Sequence, residues 1–360
     1  MLDTSKFVDA LEAADYTHLC VVPCSFAKSI INEVLNRSDQ LEYFPCASEA
    51  VACSVAAGLA ISGAKPIIIV QSSGLTNMGS AITSLLKPYN IKLPIIVSWR
   101  TYKEGDSEIQ HSHLAKKLPD LVKAYGYNPI LLDKDNISET LKKINNSSLE
   151  FQICLLESNT FTKIKLKEKF VPNLDSYPKR SEYLIYLNSQ FKNTETKFIG
   201  TTGNTAREMY TFMGGTDNFY MAGNMGGALS LGLGSAIANK KVIVCGGDAE
   251  FVMHLGGLST SGRLSQNKDI SLIYILFDNE SNKSTGGQNT FQNHLDYIGI
   301  AKACGINAHN KIINCTEEFK KIINLIHKGT GITFLHVKCS YDEETPRPPL
   351  NVVQNTSSLE

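Results

Sequence analysis

Oxygen-bearing side chains follow two apolar segments in the second half of the sequence, in a pattern that could bind a metal ion. Segment 241–247 is apolar, ends in two glycines and is followed by Asp248, while segment 270–277 is followed by Asp278 and Asn279. Carboxylate and amide oxygens suit Mg²⁺, which usually completes its coordination with phosphate oxygens and water. Because glycines let the backbone approach a phosphate group closely, we predict a site for Mg²⁺ and a diphosphate here.

Two series of alternating strands and helices must position these side chains. In a parallel sheet the carboxyl ends of the strands lie on one edge, where open α/β folds bind ligands. We therefore predict an α/β protein with two doubly wound parallel-sheet domains, and we predict that the polar segment 72–77 is a loop. The predicted strands lie at 19–22, 66–71, 93–99, 129–132, 152–157, 197–200, 241–247, 270–277 and 331–337.

A change of composition after residue 158 indicates the boundary between the two domains. Lysines alternate with apolar residues there, and Pro172 and Pro178 follow. This composition is typical of a solvated linker. We predict an N-terminal domain at 1–165, a linker at 166–190, a C-terminal domain at 191–345 and a tail at 346–360.

The composition of the 360 residues excludes several functional classes. Lys+Arg and Asp+Glu are equal at 35 each, without a basic stripe, so we expect no nucleic acid or membrane partner. No apolar run could span a membrane, and the N-terminus lacks the form of a signal peptide. The nine cysteines form no Cys-x-x-Cys motif, which favours free thiols in a cytoplasmic protein over an iron–sulfur or zinc site.

The stretch from Gly247 to Asn279 resembles the signature of thiamine diphosphate enzymes, in which Gly-Asp-Gly is followed further along by Asn. Ala249 occupies the third position, where Gly is usual. The resemblance implies a pyrimidine-binding N-terminal domain and a diphosphate-binding C-terminal domain. It also implies that the cofactors are thiamine diphosphate and Mg²⁺, with Asp248, Asn279 and the backbone carbonyl of Ser281 holding the metal.

Glu49 precedes an alanine-rich helix and resembles the glutamate that activates the cofactor in this superfamily. Such a glutamate hydrogen-bonds the pyrimidine ring and favours its imino tautomer. A carboxylate at a helix start can also simply stabilise the helix dipole. The resemblance further implies that His111 handles protons during catalysis, and that Met225 supports the bent form of the cofactor. The residues expected at the cofactor are Glu49, Gly74, Thr202, Gly203, Asn224, Met225, Gly247, Asp248, Ala249, Glu250 and Asn279.

Seven further segments, spread in order over nearly the whole chain, resemble the phosphonopyruvate decarboxylase family. The resemblance implies non-oxidative decarboxylation of a 2-oxoacid that carries a phosphonate, as in phosphonate biosynthesis. It also implies a homodimer or larger homo-oligomer with active sites at the subunit interface. The seven segments lie at 22–25, 71–75, 98–100, 108–111, 201–208, 223–226 and 284–288.

The substrate residues are less sharply indicated, because a phosphonate needs cations or amide donors. The residues expected at the substrate are Ser25, Ser73, Arg100, Glu108 and His111, and further candidate cations are Lys28, Arg207 and Lys283.

Three alternative functions stay open. Sulfopyruvate decarboxylases are similar in sequence and differ in the acid recognised. Carboligases such as acetolactate synthases usually carry a middle domain, for which this chain has no room. A non-catalytic module that binds thiamine diphosphate is disfavoured by the presence of Glu49, Asp248 and Asn279.

Overall fold

The computed structural model describes residues 1–37, 40–106, 108–215, 218–238 and 241–359. These residues divide into two compact units. The first comprises Met1–Val171 with Asn282–Asn289, and the second comprises Pro172–Ser281 with the residues from Thr290 on. None of the described helices is both long and apolar enough to cross a membrane.

The first unit contains a six-stranded parallel sheet with the order β2-β1-β3-β4-β6-β5. Its strands are β1 (His18–Val21), β2 (Glu42–Pro45), β3 (Pro66–Gln71), β4 (Ile95–Ser98), β5 (Asn128–Leu131) and β6 (Gln152–Leu156). Its helices are α1 (Thr4–Ala13), α2 (Lys28–Arg37), α3 (Glu49–Ile61), α4 (Ser72–Asn77), α5 (Gly79–Ala81), a π-helical turn (Ile82–Leu86), α6 (Leu118–Ala124) and α7 (Ile137–Glu150).

Strand β3 shows why this sheet is covered on both sides. Its apolar residues are all buried, which is typical of a parallel strand inside an α/β domain. Because side chains alternate along a strand, Ile67 and Ile69 join a core with helices α1, α2 and α7. Ile68 and Val70 join a second core with α3, α4 and α6.

The second unit contains another six-stranded parallel sheet, while a two-stranded ribbon β11-β12, which apart from Ser281 belongs to the first unit, is separate from both sheets. The strands are β7 (Lys197–Gly200), β8 (Phe219–Tyr220), β9 (Lys241–Gly247), β10 (Ser271–Asp278), β11 (Ser281–Asn282), β12 (Gln288–Asn289), β13 (Asn307–Ala308) and β14 (Gly331–Lys338). The helices are α8 (Arg180–Phe191), α9 (Asn204–Met213), α10 (Ala228–Ile237), α11 (Asp248–Met253), α12 (Gly256–Gly262), α13 (Tyr297–Ala303), α14 (Thr316–Ile326) and α15 (Leu350–Val353).

The order of this sheet is β13-β14-β10-β9-β7-β8. Its central strand β10 alternates like β3. Ile273 and Ile275 pack in a core with α8, α9 and α14. Leu272 and Tyr274 pack in a core with α10 to α13. The predicted fold class, α/β with two doubly wound parallel sheets, is therefore confirmed.

Three local features differ from the expectations. The segment Ser72–Asn77, predicted to be a loop, forms helix α4. Ser72, Gly74 and Leu75 are buried there, and tertiary packing of these residues overrides the loop-like composition. Most of α8 lies within the predicted linker 166–190, where it buries Tyr183 and Leu184. Within the predicted tail, Val352 is buried in a core of the second unit, while Glu360 lies outside the described residues.

Candidate active site

The two predicted metal ligands follow neighbouring strands of the second unit. Strands β9 and β10 are paired in parallel, with Gly247 opposite Phe277 at the end of the ladder. Asp248 therefore begins α11 beside the end of β10, which is followed by Asn279. Both side chains are buried, with Asp248 only 4% exposed and Asn279 6% exposed. The pairing register thus brings the two residues to the same edge of the sheet.

Asp248 is a buried acid that forms no salt bridge with a described residue. Burial, together with the nearby Asp278 carboxylate, raises its pKa from 3.8 to about 7. Thr290 Oγ1 donates a hydrogen bond to Asp248 Oδ2 at 3.2 Å. Among the residues that the structure describes, no lysine or arginine forms a salt bridge with it. A metal ion at this position would supply the missing positive charge.

Asp278, by contrast, is already fully engaged. His336 Nε2 and Lys338 Nζ each lie 2.8 Å from its Oδ2. Although burial acts to raise it, these contacts hold the pKa of Asp278 below its ordinary value. The Asn279 side chain, by contrast, has no cationic partner in the described structure. Its Oδ1 accepts one hydrogen bond, from the buried Ser281 backbone amide at 3.1 Å. Of the two residues, Asn279 is therefore the better candidate ligand.

The loop after β7 lies directly beside Gly247. The Thr201 amide donates to the Cys245 carbonyl at 2.9 Å, and a Cβ added at Gly247 would lie 4.0 Å from Thr201 Cγ2. Thr201 Oγ1 is buried and has no hydrogen-bond partner among the described atoms. Gly203, with φ of +79°, precedes helix α9, whose N-terminus can bind an anion. Thr202 and Gly203 are half-buried in this loop.

The segment before α10 presents two further predicted residues to solvent. Asn224 is exposed and has a positive φ of +58°, while Met225 is half-buried. Gly226 has φ of +92°, and a Cβ there would lie 2.8 Å from the His254 ring. Asn224 and Met225 are therefore accessible to a ligand.

These features fit thiamine diphosphate with Mg²⁺. At one sheet edge the second unit combines three features: a buried acid and a buried hydroxyl that have, respectively, no salt bridge and no hydrogen-bond partner among the described residues, and the N-terminus of a ten-residue helix. Gly247 and Ala249, which flank Asp248, are half-buried. The predicted residue Glu250 is different, because its side chain points into the core, where Tyr274 Oη donates to Glu250 Oε2 at 2.9 Å.

In the first unit, Glu49 is held by the helix that follows β3. It begins α3 and is only 4% exposed. Asn77 Nδ2 donates to Glu49 Oε2 at 2.7 Å. A Cβ added at Gly74 would lie 2.5 Å from Glu49 Oε1, so this predicted residue is in close contact with the carboxylate. Sequence reasoning missed Asn77 because its segment was predicted to be a loop. In helix α4, the spacing of Asn77 from Gly74 places both on one face.

Arg100 is paired rather than free. Its Nε and Nη2 donate to the two carboxylate oxygens of Asp106 at 2.5 and 3.0 Å. Its Nη1 donates to Ser25 Oγ at 3.1 Å, and its Nη2 lies 3.5 Å from Glu108 Oε2. Asp106, which sequence reasoning missed, thus neutralises the cation that was expected to bind the substrate.

His111 lies next to this cluster and is almost completely buried. It is 1% exposed, and its Nε2 lies 3.3 Å from Glu108 Oε2. Neither ring nitrogen has a well-formed hydrogen bond among the described residues. The structure thus groups four predicted residues, Ser25, Arg100, Glu108 and His111. Ser73 is half-buried in α4, and Lys28 and Lys283 are exposed. The substrate roles of these residues stay predictions.

Comparison with known proteins identifies both halves of the chain. The N-terminal TPP binding domain of thiamine pyrophosphate enzymes matches residues 4–120, and the C-terminal TPP binding domain matches residues 199–337. The two domains follow the order expected from the sequence. Thiamine pyrophosphate is the same molecule as thiamine diphosphate.

Curated relatives agree with this match. The chain is 29% identical to a phosphonopyruvate decarboxylase of Streptomyces hygroscopicus, over 86% of this chain and 80% of that protein. It is 25% identical to a sulfopyruvate decarboxylase of Methanosarcina acetivorans, over 95% of both chains. It is also 34% identical to sulfopyruvate decarboxylase subunit beta of Methanocaldococcus jannaschii, over 41% of this chain and 79% of that one. The resemblance predicted from the sequence motifs is confirmed, and the chain belongs to the family of thiamine pyrophosphate enzymes.

Proposed function

We propose that this protein uses thiamine diphosphate and Mg²⁺ to decarboxylate 3-phosphonopyruvate, giving phosphonoacetaldehyde and CO₂. The observation that carries the proposal is the buried Asp248, which forms no salt bridge with a described lysine or arginine, beside Asn279 at two neighbouring strand ends. This pair lies in a chain that is 29% identical to a phosphonopyruvate decarboxylase over 86% of its length. Asp248, Asn279 and the Ser281 carbonyl would hold the Mg²⁺, and the loop containing Thr202 and Gly203 would face the diphosphate.

When bound, thiamine diphosphate supplies the nucleophilic carbon and accepts the electrons that CO₂ leaves behind. Glu49 would hold a proton at the pyrimidine ring. Because Asn77 donates to Oε2, that oxygen acts as an acceptor, and Oε1 is the atom left to carry or release the proton. His111, buried beside Glu108, would transfer a proton to or from the substrate.

The substrate assignment predicts strong discrimination between acids that differ only in their anionic group. A site built for a phosphonate leaves its donors unpaired when pyruvate binds, and each charged hydrogen bond lost costs about 1.5–3 kcal/mol. We expect kcat/KM for phosphonopyruvate to exceed that for pyruvate by several orders of magnitude. CO₂ release measured in parallel on phosphonopyruvate, sulfopyruvate and pyruvate tests this expectation, and equal values for phosphonopyruvate and pyruvate would refute it.

Sulfopyruvate is the second candidate substrate. It is favoured by the sulfopyruvate decarboxylase of Methanosarcina acetivorans, which aligns over 95% of both chains. The same assay separates the two candidates, because a sulfopyruvate decarboxylase would give its highest kcat/KM on sulfopyruvate.

We further propose that the working enzyme is at least a homodimer whose subunits share each active site. Support comes from the family resemblance, together with the position of Glu49 and Asp248 in different compact units. Mixing inactive Glu49→Ala and Asp248→Ala subunits should restore partial activity, because one of the two shared sites then regains both residues. If native mass spectrometry shows mixed dimers and activity stays absent, the shared-site proposal is wrong. The cytoplasmic location stays a prediction.

A further inference from the structure

A buried acid–phenol pair lies directly behind the predicted diphosphate loops. Glu250 follows Asp248 by two residues in α11, yet it is only 3% exposed. Tyr274, on the neighbouring strand β10, is 1% exposed and donates its hydroxyl to Glu250 Oε2 at 2.9 Å. Neither residue has a role in the proposed chemistry, although burying a carboxyl group among apolar side chains is costly.

The Glu250 carboxylate connects two loops that are separate in sequence. Although burial raises the pKa of Glu250, the nearby backbone at Gly247 and at Ala228 acts to lower it, so both positions lie close to its carboxylate. Gly247 immediately precedes Asp248, and Ala228 is the first residue of α10, directly after the segment that contains Asn224 and Met225. One side chain therefore lies against both predicted cofactor loops and is hydrogen-bonded to the central strand of the sheet.

The two side chains are closely packed. A Cβ added at Gly246 would lie 2.7 Å from Glu250 Oε2 and 2.5 Å from the Tyr274 ring. The Tyr274 ring also packs against aromatic neighbours, with ring centroids 5.6 Å away at Phe334 and 6.3 Å away at Phe251. The hydrogen bond thus joins strand β10 to helix α11. We therefore expect its loss to change the positions of the attached loops.

We propose that Glu250 and Tyr274 form a positioning pair that sets the two loops in the geometry required by the magnesium–diphosphate end of the cofactor, without touching the cofactor. This inference rests on the proposed function. Glu250 was expected from the sequence to contact the cofactor directly. In this proposal it instead positions the loops that contact the cofactor. Outer partners that orient metal ligands typically change metal affinity by about 10–100-fold when they are removed.

Tyr274→Phe tests the pair because it removes only the hydroxyl group. The matched control is Tyr16→Phe in the first unit, where an equally buried tyrosine loses a 2.8 Å hydrogen bond to Asn145 Oδ1. Calorimetric titration with thiamine diphosphate at saturating Mg²⁺ gives Kd, and thermal unfolding without ligands gives Tm. We expect both variants to lower Tm, while only Tyr274→Phe weakens cofactor binding, by about tenfold or more.

A double-mutant cycle with Glu250→Gln provides the second readout. If the two residues act as a unit, the variant with both changes should bind the cofactor no more weakly than the worse single variant. Additive losses, or a Kd for Tyr274→Phe equal to that of Tyr16→Phe, would overturn the pair while leaving the proposed function intact. Failure of the unmodified protein to bind thiamine diphosphate with Mg²⁺ would instead overturn both.

Discussion

Glu49→Gln should lower the turnover number by about 10²–10⁴-fold, the usual contribution of a positioned general acid or base. The carboxyl group is buried and fixed by Asn77, so glutamine fits the same space and leaves the fold intact. An amide cannot exchange a proton with the pyrimidine ring. The loss should therefore appear in the activation of the cofactor, with little change in its Kd.

Proton exchange at the thiazolium carbon measures this step directly. NMR of the quenched holoenzyme in deuterated water should show exchange slowed in parallel with turnover. Glu33→Gln is the matched control, since Glu33 is another buried glutamate of the first unit and forms an ion pair with Arg37. Wild-type exchange rates in Glu49→Gln would contradict the assigned role.

Asp248→Asn should abolish Mg²⁺-dependent cofactor binding and at the same time stabilise the metal-free protein at alkaline pH. The pKa of Asp248 is raised from 3.8 to about 7 in the folded state, mainly by burial. The folded state therefore binds more protons than the unfolded state between these values, and stability falls as pH rises from about 4 through 7. Asparagine carries no charge and avoids this loss.

Thermal unfolding without metal, at pH 5 and pH 8, measures the effect. Each pKa unit corresponds to about 1.4 kcal/mol, so we expect Asp248→Asn to raise Tm by several degrees at pH 8 and much less at pH 5. The exposed Asp269 provides the control, because Asp269→Asn should change Tm little at either pH. A Tm for Asp248→Asn at or below the wild-type value at pH 8 would show that the buried charge does not limit stability.

The sequence predicted the sheets well because their strands are unusually apolar. Strands such as β3 and β10 are buried on both faces, and the continuous apolar run in the sequence of each strand indicates this burial. Ser72–Asn77 was mispredicted because nothing in its polar composition indicates a helix. Its conformation depends on tertiary contacts, including the packing of Gly74 against Glu49.

The site residues that could be predicted follow recognisable strands, whereas those that were missed depend on tertiary contacts. Asp248 and Asn279 follow recognisable strands, so a parallel sheet places them on one edge without further information. Asn77 was missed because its contact with Glu49 spans 28 positions and crosses between two helices. Arg100 appeared to be a free cation because its partner Asp106 lies in an irregular loop, whose course the sequence does not reveal.

The two sheets share one strand order, so corresponding strand ends of the two units can be compared directly. When the six strands of each sheet are numbered in chain order, without the ribbon β11-β12, both sheets have the order 2-1-3-4-6-5. The helices before the first strand, after the first strand and before the last strand join one core in both units. The two units therefore repeat one arrangement of strands and core helices and differ in the polar residues at their strand ends. After the third strand of its sheet, the first unit has helix α4, which contacts Glu49, whereas the second unit has helix α11, which begins at Asp248.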